Sequence, residues 1–193
     1  MSKSIQLPLF TEDIRVNEFL ILIEPPKNVT DYVSILKKEL KEEFGSFKSG
    51  KSKAHITVSN FLVTQKRMDD VLAKVQRRVS LFSTFEMRLQ DFRVFESGNT
   101  FYIGVQPSHT FNSLISEFKS IKKEVVKTTK FYSSETPHLT IGRNFNTKVF
   151  RQIKDRYLEK PFFYTFDVRK LTVLTRSNSK ENYELYSHIN LQN

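Results

Sequence analysis

Two of the four histidines of this chain stand in one short pattern, His55-Ile56-Thr57-Val58 and His138-Leu139-Thr140-Ile141. Each reads His-apolar-Thr-apolar. Such alternation predicts strands, on which residues i and i+2 project from one face, so each imidazole has a threonine hydroxyl beside it while Ile56 and Leu139 point to a buried side. A pair of imidazoles suits displacement at phosphorus, which needs a base at the attacking oxygen and an acid at the leaving oxygen. Histidine titrates near neutrality, so a neutral and a protonated ring coexist at working pH, above all where a bound phosphate favours the charged form. Thr57 and Thr140 would then donate hydrogen bonds to the non-bridging oxygens on which charge develops. This chemistry requires no metal and no cofactor, and the spacing does not say which ring is the acid. The other two histidines lack such a neighbour: His109 follows Pro107-Ser108 at the expected start of a helix, and His188 falls in the last expected strand.

The elements that would carry these residues come in a repeated order. The run Glu18–Glu24, closed by Pro25-Pro26, predicts a buried strand; Val33, Leu36, Leu40 and Phe44 then recur at helical spacing up to Gly45. A Gly-, Ser- and Lys-rich stretch, Gly45–Lys53, is expected to be a mobile basic loop leading into the strand Ala54–Leu62. Met68, Leu72, Val75 and Val79 mark a second helix, and Phe85, Met87 and Leu89 a third strand. After a turn at Gly98-Asn99 the order restarts: a strand Thr100–Val105, a helix from Phe111 to Val125, a strand His138–Gly142, a helix through Val149, Ile153 and Tyr157, and a strand Phe162–Val168. A further strand, Tyr183–Leu191, closes the chain. The reading is an α+β fold of two β-α-β-α-β halves, approximately 1–97 and 98–193, within a single domain spanning 1–193. The two motifs lie symmetrically about the middle of the chain, so a pseudo-twofold axis would bring both to one cleft.

Composition narrows the substrate. With 31 Lys and Arg against 21 Asp and Glu, the formal charge of +10 attracts polyanions. An apolar content of 38% with eighteen Phe is that of a globular chain, and no apolar run is long enough to span a bilayer. The chain has no Cys, and its first residues contain no secretory signal, so the expectation is a cytoplasmic protein with no membrane and no protein partner. A monomer is expected, because the two halves already supply the pairing that a dimer would give.

In its paired motifs (AHITVSNF and TPHLTIGRNF), its opening strand EFLILIEPP and its closing stretch KLTVLTRSNSKENYELYSHINL, the sequence resembles the 2H phosphoesterase superfamily, within it the bacterial 2′-5′ RNA ligase-like, cyclic phosphodiesterase branch. The resemblance implies a bilobal fold with a central cleft and activity on 2′,3′-cyclic or 2′-5′-linked nucleotide or RNA phosphodiesters, in some members also the reverse ligation. It assigns catalysis to His55 and His138, phosphate contacts to Thr57 and Thr140, and a phosphate role to Arg143, which resembles the Arg that often follows the second motif. At the matching place after the first motif there is no basic residue, and Asn60 and Phe61 stand instead. Lys53, two positions before His55 on the same expected face, is a further phosphate-binding candidate. Phe131 and Tyr132, before the second motif, and Tyr186, where the family tends to carry a Tyr, are candidates to stack on a base.

Two other readings stay open on the sequence: a basic RNA- or nucleotide-binding protein without turnover, and a phosphodiesterase of a small non-RNA cyclic phosphate. Binding alone gives no reason for two imidazoles at the repeated positions, since neutral histidine holds anions poorly.

Overall fold

A computed structural model describes residues 16–125, 131–133 and 136–192. Strand β1 (Val16–Ile23) ends before Pro25-Pro26, and α1 (Lys27–Phe44) buries Val29, Val33, Leu36 and Leu40 at helical spacing. Gly45 closes it with φ +82, a left-handed conformation that only glycine adopts freely, and donates its N–H to the Lys41 carbonyl. Next come β2 (Ile56–Thr64), a single 3₁₀ turn, α2 (Met68–Val79), β3 (Phe85–Phe95) and β4 (Thr100–Gln106). The second half continues with α3 (His109–Val125), β5 (Phe131–Ser133), β6 (His138–Gly142), α4 (Thr147–Tyr157), β7 (Phe163–Val168), β8 (Lys170–Arg176) and β9 (Glu184–Asn190). Asn146 caps α4 by accepting the Val149 N–H on its side-chain oxygen. No helix among the described residues is long and apolar enough to cross a membrane.

The strands form one antiparallel sheet in the order β7-β3-β4-β6-β2-β1-β8-β9, with β5 pairing on β2. This order is symmetric about the β6–β2 junction. On one side β4-α3-β6 mirrors β1-α1-β2 on the other, β3 flanks β4 as β8 flanks β1, and β7 and β9 are the edges. The repeated order expected from the sequence is therefore present, in the bilobal α+β form, but the lobes are not the two halves of the chain. Glu96–Asn99 makes a tight hairpin, and a tight hairpin obliges its two strands to pair, so β3 joins β4 in the second lobe. In exchange β8 and β9 return to extend the first lobe through β1. β8 and β5 are strands that the sequence reading does not separate: only Arg169 divides β8 from β7, and β5 has three residues.

Side chains from α1, α2, α3 and α4 pack into one apolar cluster against a single face of the sheet, built from Phe19, Ile21 and Ile23 of β1, Ile56 and Phe61 of β2, Phe101 and Ile103 of β4, and Leu139 and Ile141 of β6. The opposite face is polar at its centre. There β1 presents Leu20 and Leu22, whose register partners on β2 are Asn60 and Thr57; an extra residue in β2 between these pairs marks a bulge.

Candidate active site

The two motif strands are neighbours. β2 pairs with β6 antiparallel, Ile56 facing Leu139, both fully buried in the core. Continued one residue each way, that register sets His55 opposite Thr140 and Thr57 opposite His138, so four side chains that can transfer protons or donate hydrogen bonds project together from the polar face. The sequence alternation and the pseudo-twofold order suffice to produce this constellation.

Each imidazole is held in the same way. His55 Nδ1 lies 2.8 Å from the Lys53 carbonyl, and His138 Nδ1 lies 2.8 Å from the Thr136 carbonyl, the acceptor being two residues upstream in both cases. A carbonyl only accepts, so each ring donates its Nδ1–H there and keeps Nε2 for the cleft. Both rings hold their protons less tightly than an ordinary histidine. For His55 burial is the main cause, partly offset by the Lys53 carbonyl and reinforced by the charges of Lys37, Arg143 and His138. For His138 it is again burial, offset by the Thr136 carbonyl and reinforced by Arg143.

Arg143, exposed just past β6, acts on both rings through its charge. Its Nε donates to Ser49 Oγ at 2.9 Å and its backbone N–H to the Lys48 carbonyl at 2.9 Å. These contacts tie β6 to the 45–53 loop, which is anchored rather than loose. Lys37, only 5% exposed, donates from Nζ to the carbonyls of Ser49 at 3.0 Å and Ser52 at 2.8 Å. Burial lowers its pKa to about 8. On the same loop Phe47 packs on Phe145 at a centroid distance of 4.7 Å, over Gly142, where a Cβ would sit 2.8 Å from Phe47 Cδ2 and closer still to the Phe145 ring. The glycine that ends the second motif is thus a packing requirement.

The remaining candidates divide. Lys53 reaches His55 with its carbonyl, whereas its ammonium turns to Glu24 at 2.7 Å. Thr172 Oγ1 lies 3.4 Å from the other Glu24 oxygen and 3.3 Å from His188 Nδ1. Tyr132 is half exposed on β5 beside His138, while the side chain of Phe131 lies outside the described residues. Tyr186 is not brought to the histidines: it packs edge-on against Phe19 and borders Asp69, Leu72, Ala73 and Gln76 of α2 on the helical side of the sheet. Tyr183 lies instead beside Asn60 on the polar face, its hydroxyl 3.2 Å from Asn60 Nδ2 and its ring under the Arg176 guanidinium at 4.3 Å. Asn60, at the place lacking a basic residue, donates to Glu18, which Arg176 also holds. His109 is exposed at the start of α3, where Ser108 Oγ accepts the Phe111 N–H.

Three participants escape the motif reading. Phe95 and Tyr102 stack at 4.2 Å and enclose His138, their centroids 5.0 and 5.2 Å from its ring. They come from the strands flanking the hairpin, and only the sheet order places them here. Lys37 does leave a signal: it stands four residues after Val33 and three before Leu40, a charge within the buried stripe of a helix. Among the described residues no group of three or more His, Asp or Glu converges as metal ligands would.

The fold is shared with solved structures of low sequence identity. E. coli LigT complexed with 3′-AMP superposes with a TM-score of 0.72 at 14% identity, covering 92% of this chain and 99% of that one. TT0787 of Thermus thermophilus gives 0.68 at 15% identity, covering 91% and 98%. Usb1 of Kluyveromyces marxianus gives 0.53 at 12% identity, covering 92% and 98%. No curated protein sequence matches the chain. The model of one family, the 2′-5′ RNA ligase superfamily, matches residues 25–180, which contain both histidine motifs and the strands that pair them, and the chain therefore belongs to that superfamily of 2H phosphoesterases.

Proposed function

We propose that the chain is a phosphodiesterase of 2′,3′-cyclic or 2′-5′-linked nucleotide or RNA substrates, with His55 and His138 as acid and base and 2′-5′ ligation as the reverse reaction. The observation that carries this reading is the matched pair of rings, each anchored at Nδ1 by a carbonyl and presenting Nε2 to one cleft. A phosphodiester seated between them meets a neutral Nε2 that takes the proton of the attacking hydroxyl or water. On the leaving side, an Nε2–H of the other ring protonates the departing oxygen, and the two rings finish with the proton exchanged. Thr57 and Thr140 hydroxyls and the Arg143 charge stabilise the non-bridging oxygens.

Because both rings are neutral-leaning in the free protein, it is the anionic substrate that returns a proton to one of them. Two neutral rings would be a poor choice for a protein that only binds anions, which favours turnover over mere binding. E. coli LigT, of the same fold, forms complexes with 3′-AMP, with ATP and with phosphate, a ligand class that this cleft chemistry suits.

The test is turnover, with EDTA present, of a 2′,3′-cyclic nucleotide and a short 2′-5′-linked oligonucleotide by the intact protein and by His55→Ala and His138→Ala. Each substitution is expected to lower turnover by roughly 10²–10⁴-fold while the thermal transition persists. Turnover surviving both substitutions would refute the assignment.

A further inference from the structure

Matching rows of side chains cross the two lobes on the polar face, and they differ beside the histidines. Outward from Thr57 stand Leu22 and Thr172; outward from Thr140 stand Tyr102 and Arg93. In the next row Gly104 faces His138, whereas the register of β1 with β2, continued by one residue, sets Glu24 against His55. Glu24 is taken up by Lys53 and Thr172. The second lobe therefore has a guanidinium where the first has a hydroxyl, and bare backbone where the first has a carboxylate.

Arg93 uses the space that Gly104 leaves. A Cβ added at Gly104 would lie 2.8 Å from Arg93 Nε and 2.9 Å from its Cδ, so the side chain folds out of its own row onto the strand that neighbours His138. The same Cβ would meet the Gln90 carbonyl at 2.6 Å, and glycine is required here. Directly paired positions are about 5 Å apart at Cβ, so the stem of Arg93 lies one strand spacing from His138. Tyr102 feels the charge: burial raises its hydroxyl above the ordinary tyrosine value, and Arg93 opposes that shift. Arg93 itself is exposed and makes no hydrogen bond or ion pair among the described residues. Two other arginines of the sheet are neutralised, Arg88 by Glu86 and Arg176 by Glu18.

We infer that Arg93 is a further catalytic residue of the proposed reaction, its guanidinium donating to a non-bridging oxygen of the diester held between the two rings, on the His138 side. It supplies from β3 the second cation that Asn60 and Phe61 do not supply beside the first motif. Arg143 comes to the site from the 45–53 loop and Arg93 from the β4 flank, so the charge that builds on the non-bridging oxygens is met by two cations. A planar fork of N–H groups suits that contact better than the point charge of a lysine. The inference deepens the proposed function and rests on it for the identity of the reacting group.

The test compares the intact protein with Arg93→Met, Arg93→Lys and, as a control for net charge on the same strand, Arg88→Met. Two readouts are taken: steady-state turnover of a 2′,3′-cyclic nucleotide, and calorimetric affinity for inorganic phosphate, which needs no turnover. Arg93→Met is expected to lower kcat about 100-fold while KM changes less than about threefold. It should weaken phosphate about tenfold, because phosphate, like the transition state, carries more charge on those oxygens than the diester does. Arg93→Lys should recover part of both losses, and Arg88→Met should show neither. The melting temperature of Arg93→Met should stay within about 2 °C, since the side chain has no partner to lose. Unchanged phosphate affinity in Arg93→Met, a rise in KM at unchanged kcat, or an equal loss in Arg88→Met would overturn the role of Arg93. Absence of turnover by the intact protein would instead overturn the reaction proposed above, with the phosphate readout still deciding whether Arg93 meets the anion.

Discussion

An imidazole fixed at Nδ1 by a carbonyl is committed to one tautomer, and both site histidines are so fixed. What remains free to change is the proton on Nε2, and burial together with the Arg143 charge disfavours it on both rings. Catalysis needs one ring in each state, so kcat/KM should follow a bell in pH whose optimum lies below the ordinary histidine value of 6.5. A bound diester carries its negative charge throughout this range and raises the pKa of the acid, so the alkaline limb of kcat should lie at higher pH than that of kcat/KM. Initial rates from about pH 4.5 to 9 check both points, and a kcat/KM optimum near pH 8 would contradict them. At this scale the sequence was highly informative, because a strand's period of two assigns His, Thr and the intervening apolar residue to faces without knowledge of the fold. It was silent on Phe95 and Tyr102, which are local residues of an ordinary hairpin until the sheet order sets β4 beside β6.

Among the elements, α1 and the 45–53 loop form one device. Lys37 Nζ grips two loop carbonyls; the loop in turn gives the Lys53 carbonyl to His55 and the Ser49 hydroxyl to Arg143. A composition rich in Gly, Ser and Lys reads as a mobile loop, and only the ammonium reaching it from the helix shows otherwise. Lys37→Met keeps the length and apolar stem of the side chain but leaves those carbonyls without their donor. It is expected to destabilise the fold by about 1–3 kcal/mol and, through misplacement of His55 and Arg143, to lower kcat about 100-fold. Loss of the Lys37 charge also removes one cause of the low His55 pKa, so the pH optimum should move up. Urea melts and pH–rate profiles check these outcomes; a variant with the normal optimum and kcat would show that the grip does not position the site. The same scale shows where periodicity stops: it marked α1 to α4, yet it could not say that β3 leaves its own half, because strand exchange follows from the hairpin and from the return of β8 to β1.

At the scale of the whole molecule, the two lobes meet at the strand pair that carries His55, Thr57, His138 and Thr140, so anion occupancy between the two rings and global stability are linked. Both histidines have folded-state pKa values below their unfolded ones, and the sign of the linkage follows. As pH falls through about 6.5 the unfolded chain binds protons that the folded site resists, so stability is present at neutral pH and is lost progressively toward acid. An anion in the cleft reverses this by pairing with a protonated ring. Sulfate is a suitable probe because its charge is constant across the range. At about 100 times its dissociation constant it should add about 2.7 kcal/mol, which for a chain of this size is a rise of roughly 5–10 °C in melting temperature. The rise should be largest near about pH 5.5 and shrink toward about pH 8. Sulfate also strengthens burial generally, and that contribution is read from the His55→Ala/His138→Ala variant, in which only the pH-independent part should remain. An equal, pH-independent rise in both proteins would mean that the paired rings do not hold the anion, and the cleft would then have to be sought elsewhere on a surface whose net charge of +10 offers alternatives.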